Sequence, residues 1–363
     1  MKILYICTWN KYKQKTWSGT TYSLYKSLSL KTHVKDIDIK LNKIDKAFFM
    51  ITRILNLKFQ NKSKIYQKKI NKLVQYKNDE SVVLQIGDYG ICKNMTYVYQ
   101  DLSIDSLFFY KKVNNKLFRY SGFENYSKKY MKYRRYKQLE FYDNTKGIFT
   151  MSKWLADNLV NYTKIPKEKV HWVGGGVNIN INRIKNKKKN NTRILFVGRD
   201  FIRKGGDLVY KAFKVLKEKY LLSAELYIAG PKKWPLNEKD NSVKFLGDIS
   251  PEELSDYFNI CDIFCLPSRF EAYGLVFIEA LVYGLPCIGR NEFAMKEFIQ
   301  NGYNGFLINN DDVDNLALKM FDLLNNENIK ANVLKNRKKY IENYSWDKVA
   351  ERIINVIKKD LNS

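Results

Sequence analysis

Short apolar runs recur along the chain, each closed by a polar or glycine-bearing loop and followed by a segment of helical spacing. In the first half they are Lys2–Cys7, Val34–Ile39, Ser81–Gly87, Thr96–Asp101, Gly147–Met151 and Val170–Val173. The second half is more regular, with runs at Arg193–Gly198, Ala224–Gly230, Val243–Leu246, Ile263–Leu266, Leu285–Ile288 and Gly305–Ile308. Continuous apolar runs are the pattern of strands covered on both faces, and their alternation with helices predicts an α/β protein with doubly wound parallel sheets. No repeat of solenoid period interrupts this grammar.

The stretch from Ile263 to Pro286 is the most informative. Ile263-Phe264-Cys265-Leu266-Pro267 reads as a buried strand closed by a proline, and Tyr273-Gly274 turns the chain into a helix that stops at Gly284 and Pro286. Strand, glycine turn and helix start together present backbone N–H groups to an anion. Glu271 precedes the helix. Glu279 lies inside it among Leu275, Val276, Ile278, Ala280 and Leu281, so burial there demands a partner or a ligand.

Composition changes the picture mainly through charge. The 363-residue chain has room for two domains and carries a formal charge of +27. Residues 1–165 hold 32 basic and 12 acidic side chains, a net +20, and residues 166–363 hold 32 and 25, a net +7. A uniform compositional bias does not produce that asymmetry, so the first half is expected to meet something anionic: a membrane surface, a nucleic acid or a phosphorylated acceptor. Five cysteines without a CxxC pair, mostly in apolar runs, read as reduced core residues of a cytosolic protein. His33 and His171 are the two histidines, which leaves no multi-histidine zinc site and little for a Ser-His-Asp machine. His171 reads as a packed strand residue and His33 as surface. The apolar start of the chain is too short for a signal sequence, and no run approaches a membrane span.

Several features keep two readings. Residues 46–78 hold nine basic and no acidic residues, with Phe48, Ile51, Leu55, Phe59, Tyr66, Ile70 and Leu73 at helical spacing. Such a helix can lie on an anionic bilayer, each lysine contributing about 1 kcal/mol, or can turn its apolar stripe to the core. Lys128-Lys-Tyr-Met-Lys-Tyr-Arg-Arg-Tyr136 could stack bases, sit at lipid headgroups, or form a helix with snorkelling stems. Asp36-Ile-Asp38 matches the DxD of metal-dependent sugar transferases, but strand alternation produces that tripeptide often. Gly19 is a turn residue or a point of close ligand approach, with Ser18 or Thr20 as candidate cap of the next helix. Gly174-Gly175-Gly176 marks a turn or hinge, and the polar run Arg183–Thr192 reads as a linker.

Ligands of doubly wound sheets bind beyond the carboxyl ends of the strands. Three loops of the second half lie there: Gly198–Gly206 with Arg199, Arg203 and Lys204, then Gly247-Asp248-Ile249-Ser250, then the Glu271–Glu279 turn. A diphosphate between Arg199, Lys204 and the helix start near Leu275, with a carboxylate on that helix for two adjacent hydroxyls, describes a nucleotide-diphosphate-sugar site.

These residues resemble the retaining glycosyltransferases of the GT-B fold, specifically glycosyltransferase family 4. The E-x7-E pair Glu271 and Glu279, Val197-Gly-Arg199 with Lys204-Gly205, Ser152-Lys-Trp-Leu, Lys169-Val-His-Trp-Val-Gly, Trp17-Ser-Gly-Thr20 and Tyr344-Ser-Trp-Asp347 carry the likeness. The resemblance implies two Rossmann-like domains facing across a cleft: residues 1–176 binding the acceptor and 177–345 binding the nucleotide sugar, the basic linker 183–192 within it. Residues 346–363 would form a helix that packs back on the first domain.

By the same resemblance Glu271 contacts the transferred sugar, Glu279 the ribose, and Arg199 and Lys204 the diphosphate in place of a metal. Backbone N–H groups of Tyr273, Gly274 and Leu275 complete that cradle, Gly247 and Ile249 meet the base, and Gly19 faces the donor. Many relatives have a histidine where this chain reads Tyr99-Gln100-Asp101, so Gln100 or Asp101 would face the donor sugar instead. The implied reaction moves a hexosyl unit, with retention and without metal or other cofactor, to a glycan or lipid-linked acceptor of lipopolysaccharide, capsule or other surface glycan synthesis. The implied place is the cytoplasm, at the inner face of the cytoplasmic membrane. A nucleotide-sugar 2-epimerase of the same fold is the alternative. A nucleic-acid-binding protein is a remote one, since no RNP, KH or zinc-finger pattern is present.

Overall fold

The computed structural model describes residues 1–45, 47, 60–74, 81–185, 192–236 and 240–362, and of residues 60–63 the backbone only. The chain divides into two compact units. One comprises Met1–Asn115, Gly122–Gly176 and Trp346–Ser363, and the other Lys116–Ser121 and Val177–Ser345.

The first unit is built on a parallel sheet of order β2-β1-β3-β4-β5-β6, with β1 Lys2–Cys7, β2 His33–Asp38, β3 Val82–Gln85, β4 Thr96–Gln100, β5 Gly147–Thr150 and β6 Val170–Trp172. Its longer helices are α1 Thr20–Ser29, α2 Gln60–Val74, α3 Ile104–Val113, α4 Lys128–Asp143 and α5 Lys153–Asn161. The cap of α1 differs from expectation: Gly19 itself is the N-cap, at φ 92°, and no side chain of Ser18 or Thr20 caps the helix. Ser152 does cap α5, accepting from Leu155 N–H. His171 lies on β6 against Phe149, and burial pushes its imidazole down, the bland reading of that residue.

Much of the basic stretch 46–78 lies outside the described residues, but α2 decides between its two readings over its own length. Ile70 and Val74 are buried against Leu4, Ile6, Ile37, Ile39 and Val83, with Tyr66 packed alongside. That apolar stripe is spent on the core and is unavailable to a bilayer. Leu73, expected on the same face, points to solvent instead. Among the described residues no helix is long and apolar enough to cross a membrane.

In the second unit the sheet order is β12-β11-β10-β7-β8-β9, all parallel, with β7 Arg193–Val197, β8 Glu225–Ala229, β9 Val243–Gly247, β10 Ile263–Cys265, β11 Cys287–Arg290 and β12 Gly305–Ile308. Counted from β7 this is the order 3-2-1-4-5-6, which reverses direction between β7 and β10. Ligand crevices open at such a reversal. The longer helices are α6 Gly206–Lys219, α7 Pro251–Ile260, α8 Leu275–Val282, α9 Val313–Asn325 and α10 Glu327–Asn343. Strand β11 begins two residues later than its apolar run. Leu285 N–H still bonds the Ala280 carbonyl behind α8, and Pro286 contributes only its carbonyl, which takes Phe264 N–H at 3.0 Å.

The final helix, α11 Trp346–Leu361, belongs to the first unit. It buries Trp346, Val349, Ala350, Ile353, Ile354 and Ile357. Tyr97 of β4 donates to Asp360 at 2.6 Å, and Arg352 donates to the Val173 carbonyl at 2.9 Å. At Gly176 a Cβ would stand 2.7 Å from the Trp346 nitrogen, so the last of the three glycines marks a close approach. The polar run after Arg183 is not where the units part. Asn259 of α7 donates to the Arg183 carbonyl at 2.9 Å and accepts Lys185 N–H at 2.8 Å, and residues 186–191 are outside the described set.

Candidate functional site

The loops after β7 and β10 meet at the strand-order reversal. The first, Gly198–Gly205, starts so close to the chain leaving β8 that a Cβ at Gly230 would lie 2.6 Å from the Gly198 carbonyl carbon. It ends at Gly205, in the left-handed region at φ 76°, whose Cβ position lies 2.7 Å from the Pro267 carbonyl oxygen of the second loop. Only glycine fits both the angle and the approach. The result places Lys204 so that its Nζ donates to the Glu271 carboxylate, with both side chains largely buried.

Arg199 reaches the other way. Its guanidinium pairs with Asp248 at 3.1 Å and is largely exposed, which joins the Gly198–Gly205 loop to the loop after β9. In that loop Gly247 has φ 72° with open space beside it, Ile249 is half-buried, and Ser250 and Glu253 form a capping box at the start of α7.

After Glu271 the chain turns at Gly274, the left-handed N-cap of α8 at φ 93°. A Cβ there would press on the Glu271 Cγ at 3.0 Å, so the glycine makes room for that carboxylate. Tyr273 is buried and Phe277 N–H already bonds the Gly274 carbonyl. Leu275 and Val276 hold the first two helical positions, where N–H groups have no intrahelical acceptor and the helix dipole favours an anion. One turn into the helix, Glu279 is 9% exposed and accepts Asn178 N–H at 3.3 Å. Burial pushes its carboxyl up to about 7, against a smaller lowering by that N–H.

The stretch 178–345 matches the family model of glycosyl transferases group 1. The second unit is a group 1 glycosyl transferase domain. An uncharacterized glycosyltransferase of Methanocaldococcus jannaschii is 27% identical over 233 residues, 58% of this chain and 59% of that protein. An uncharacterized 41.2 kDa protein of the Klebsiella pneumoniae cps region is 35% identical over 133 residues, 36% of each. The matched stretches thus span less than two thirds of these relatives. Among solved structures, Anabaena HepE in complex with UDP and glucose superposes over 99% of both chains with a TM-score of 0.65 at 13% identity. The fold is GT-B, as the motifs led us to expect.

Within the group 1 domain, sequence reasoning missed the groups that brace the two loops. Arg269 donates to Asp207 of α6 at 2.6 and 2.9 Å, to Asp311 at 2.8 Å and to the Ile202 carbonyl at 2.5 Å. Arg290, at the end of β11, is 2% exposed and pairs with the same Asp311. Burial alone would raise the Asp311 carboxyl, but the Arg269 and Arg290 guanidiniums outweigh it and hold it below the usual range. Arg203, the third cation of the Gly198–Gly206 loop, is tied to Asp200 at 2.9 Å and to the Phe270 carbonyl at 2.9 Å.

The remaining candidates lie in the first unit. Trp17 and Ser18, at φ 46° and 55°, lead into Gly19, a strained turn ahead of α1. Trp17, Tyr99, Gln100 and Asp101 line a cavity of about 350 Å³ beyond the ends of β1, β3 and β4. Gln100 is buried and its amide donates to Tyr142 Oη at 2.6 Å, whereas Asp101 is half-buried on the cavity wall. Asp36 and Asp38 are used structurally. Asp36 accepts from Trp9 Nε1 at 3.1 Å and Lys13 at 2.5 Å, and Asp38 accepts from Trp9 and Lys40 N–H.

Proposed function

We propose that the chain is a retaining glycosyltransferase that moves a hexosyl unit from a nucleotide-diphosphate sugar to an acceptor in surface-glycan synthesis. The observation that carries this reading is the joining of Lys204, Glu271 and the start of α8, with Glu279 buried one turn on. In this reading Arg199, Lys204 and the backbone N–H groups of Tyr273, Gly274 and Leu275 hold the diphosphate, Glu279 holds the ribose, and Gly247 and Ile249 border the base. Glu271 faces the sugar and steadies its developing oxocarbenium charge. Gly19 and Asp101 of the first unit are assigned to the donor sugar on the resemblance alone.

Chemistry without an enzyme nucleophile suits retention by front-face attack. The bond from the anomeric carbon to the phosphate oxygen breaks, the acceptor oxygen bonds that carbon on the same face, and the departing phosphate takes the acceptor's proton. Lys204 leaves Glu271 for the phosphate as charge builds there, and with Arg199 supplies the positive charge that a metal supplies in other transferases. No further cofactor enters this reading. The HepE structure holds UDP and glucose, and the Klebsiella relative comes from a cps region, which supports a sugar nucleotide donor and a capsule-like product.

The acceptor, glycan or lipid-linked, is assigned to the basic first unit, with cytoplasmic action at the inner membrane face. That contact rests on net charge, since the apolar stripe of α2 is committed to the core. Thermal stabilisation by a panel of UDP-, GDP- and ADP-sugars tests the donor reading. A ligand at 100 times its Kd adds about 2.7 kcal/mol. A flat melting temperature across the whole panel would remove it.

A further inference from the structure

We propose that Arg290 and Asp311 are positioning residues for Glu271, a role that rests on the donor-site reading above. Arg290 Nε donates to the Ser268 carbonyl at 3.1 Å and its Nη2 to the Pro267 carbonyl at 3.3 Å, besides pairing with Asp311. These two carbonyls form the turn that delivers Phe270 and Glu271. Asp311 divides its oxygens between Arg290 and Arg269, and Arg269 reaches on to the Ile202 carbonyl and to Asp207 beside the Lys204 loop. Arg269 N–H closes the circuit on the Arg203 carbonyl at 2.8 Å. Two acids and two guanidiniums therefore neutralise one another while gripping the backbone of both loops that bring Lys204 and Glu271 together.

A purely stabilising role explains this poorly. Buried ion pairs recover little more than their desolvation cost, and apolar side chains of the same volume serve stability as well. What apolar side chains cannot supply is three directed bonds to consecutive turn carbonyls and a carboxylate. Arginine's fixed planar fork is suited to that, and lysine's single ammonium is not. Neither residue hydrogen-bonds to Lys204, Glu271 or Glu279, so the effect passes through the turn.

The test compares wild type with Arg290→Met, Arg290→Lys and Asp311→Asn. Amide hydrogen exchange on the ligand-free proteins reads the turn whatever the substrate proves to be. Exchange at Arg269 N–H is expected to rise at least tenfold in Arg290→Met while Phe264 of β10 and Leu266 just after it stay protected. Asp311→Asn, which keeps volume, is expected to show a smaller rise at the same amide. With an identified donor, turnover should fall more than tenfold in Arg290→Met, affinity for the free nucleoside diphosphate should change less than threefold, and Arg290→Lys should restore only part of the turnover. Unchanged exchange at Arg269, or a uniform rise across the strand, overturns the proposal. If exchange behaves as expected but no sugar nucleotide binds wild type, the positioning of the turn stands and the donor reading falls.

Discussion

Lys204 and Glu271, 67 residues apart, share a hydrogen-bonded ion pair in the second unit, with side chains 15% and 11% exposed. Neither has its present environment without the other: removing the lysine leaves a nearly buried carboxylate without its cation, and removing the glutamate leaves the reverse. Lys204→Ala and Glu271→Ala should each lower turnover by more than about 10²-fold, the scale of deleting one transition-state contact. Because they act as a pair, the double variant should lose much less than the product of the single losses. Steady-state kinetics on the four proteins decides this, and full activity in both single variants would refute the assignment.

Glu279 sets a pH dependence. Its folded-state carboxyl lies at about 7, raised by burial from an ordinary value of 4.5. The native chain therefore binds the extra proton between those values, so this group's contribution to stability is greatest at low pH and is lost as pH rises through 7. The bound on that loss is about 3 kcal/mol, from roughly 1.36 kcal/mol per unit. Glu279→Gln should accordingly be more stable than wild type at pH 8 and lose that advantage near pH 5, as read by denaturant titration. Donor affinity should run oppositely, weakening below pH 7 if the ribose hydroxyls bond the carboxylate.

How much of this was legible beforehand follows from range. The turn from β10 to α8 was readable because its apolar run, Gly274 and the glutamates are local in sequence. The burial of Glu279 followed from the apolar residues around it. Arg290 and Asp311 were not readable, since Arg290 ends an ordinary strand and Asp311 follows another, and only the order of β10, β11 and β12 brings them under Pro267. The bracing role of Arg203 was not readable for the same reason, its carbonyl partner at Phe270 being distant in the chain. In the first unit Leu73 shows the limit of periodicity: spacing placed it beside Ile70, but the core closes on Ile70 and Val74.

Gly205 offers a separate test of the loop junction. At φ 76°, with its Cβ position 2.7 Å from the Pro267 oxygen, alanine there is both strained and crowded by backbone. Gly205→Ala should cost about 1–3 kcal/mol and move Lys204 away from Glu271. Gly302→Ala is a control, since it has a similar φ of 77° but nothing within 4 Å of its Cβ position. A larger fall in melting temperature at Gly205 than at Gly302 supports the crowding argument, and equal falls would leave only the backbone angle as the cause.

The last helix should be indispensable to the first unit although it follows the second in sequence. Ile353 is fully buried on α11, whose other buried side chains and the Tyr97–Asp360 bond fix the helix to that unit. Ile353→Ala should cost about 2–5 kcal/mol, the range for a large-to-small core change. Tyr97→Phe removes one charge-assisted bond between a buried tyrosine and a partly buried carboxylate and should cost about 1.5–3 kcal/mol at most. The sharper measurement is where the loss appears. If α11 stabilises the first unit, hydrogen exchange in Ile353→Ala should accelerate at Val98 and Ile148 and leave Leu195 and Phe264 unchanged. Acceleration confined to the second unit would assign the helix to the wrong partner.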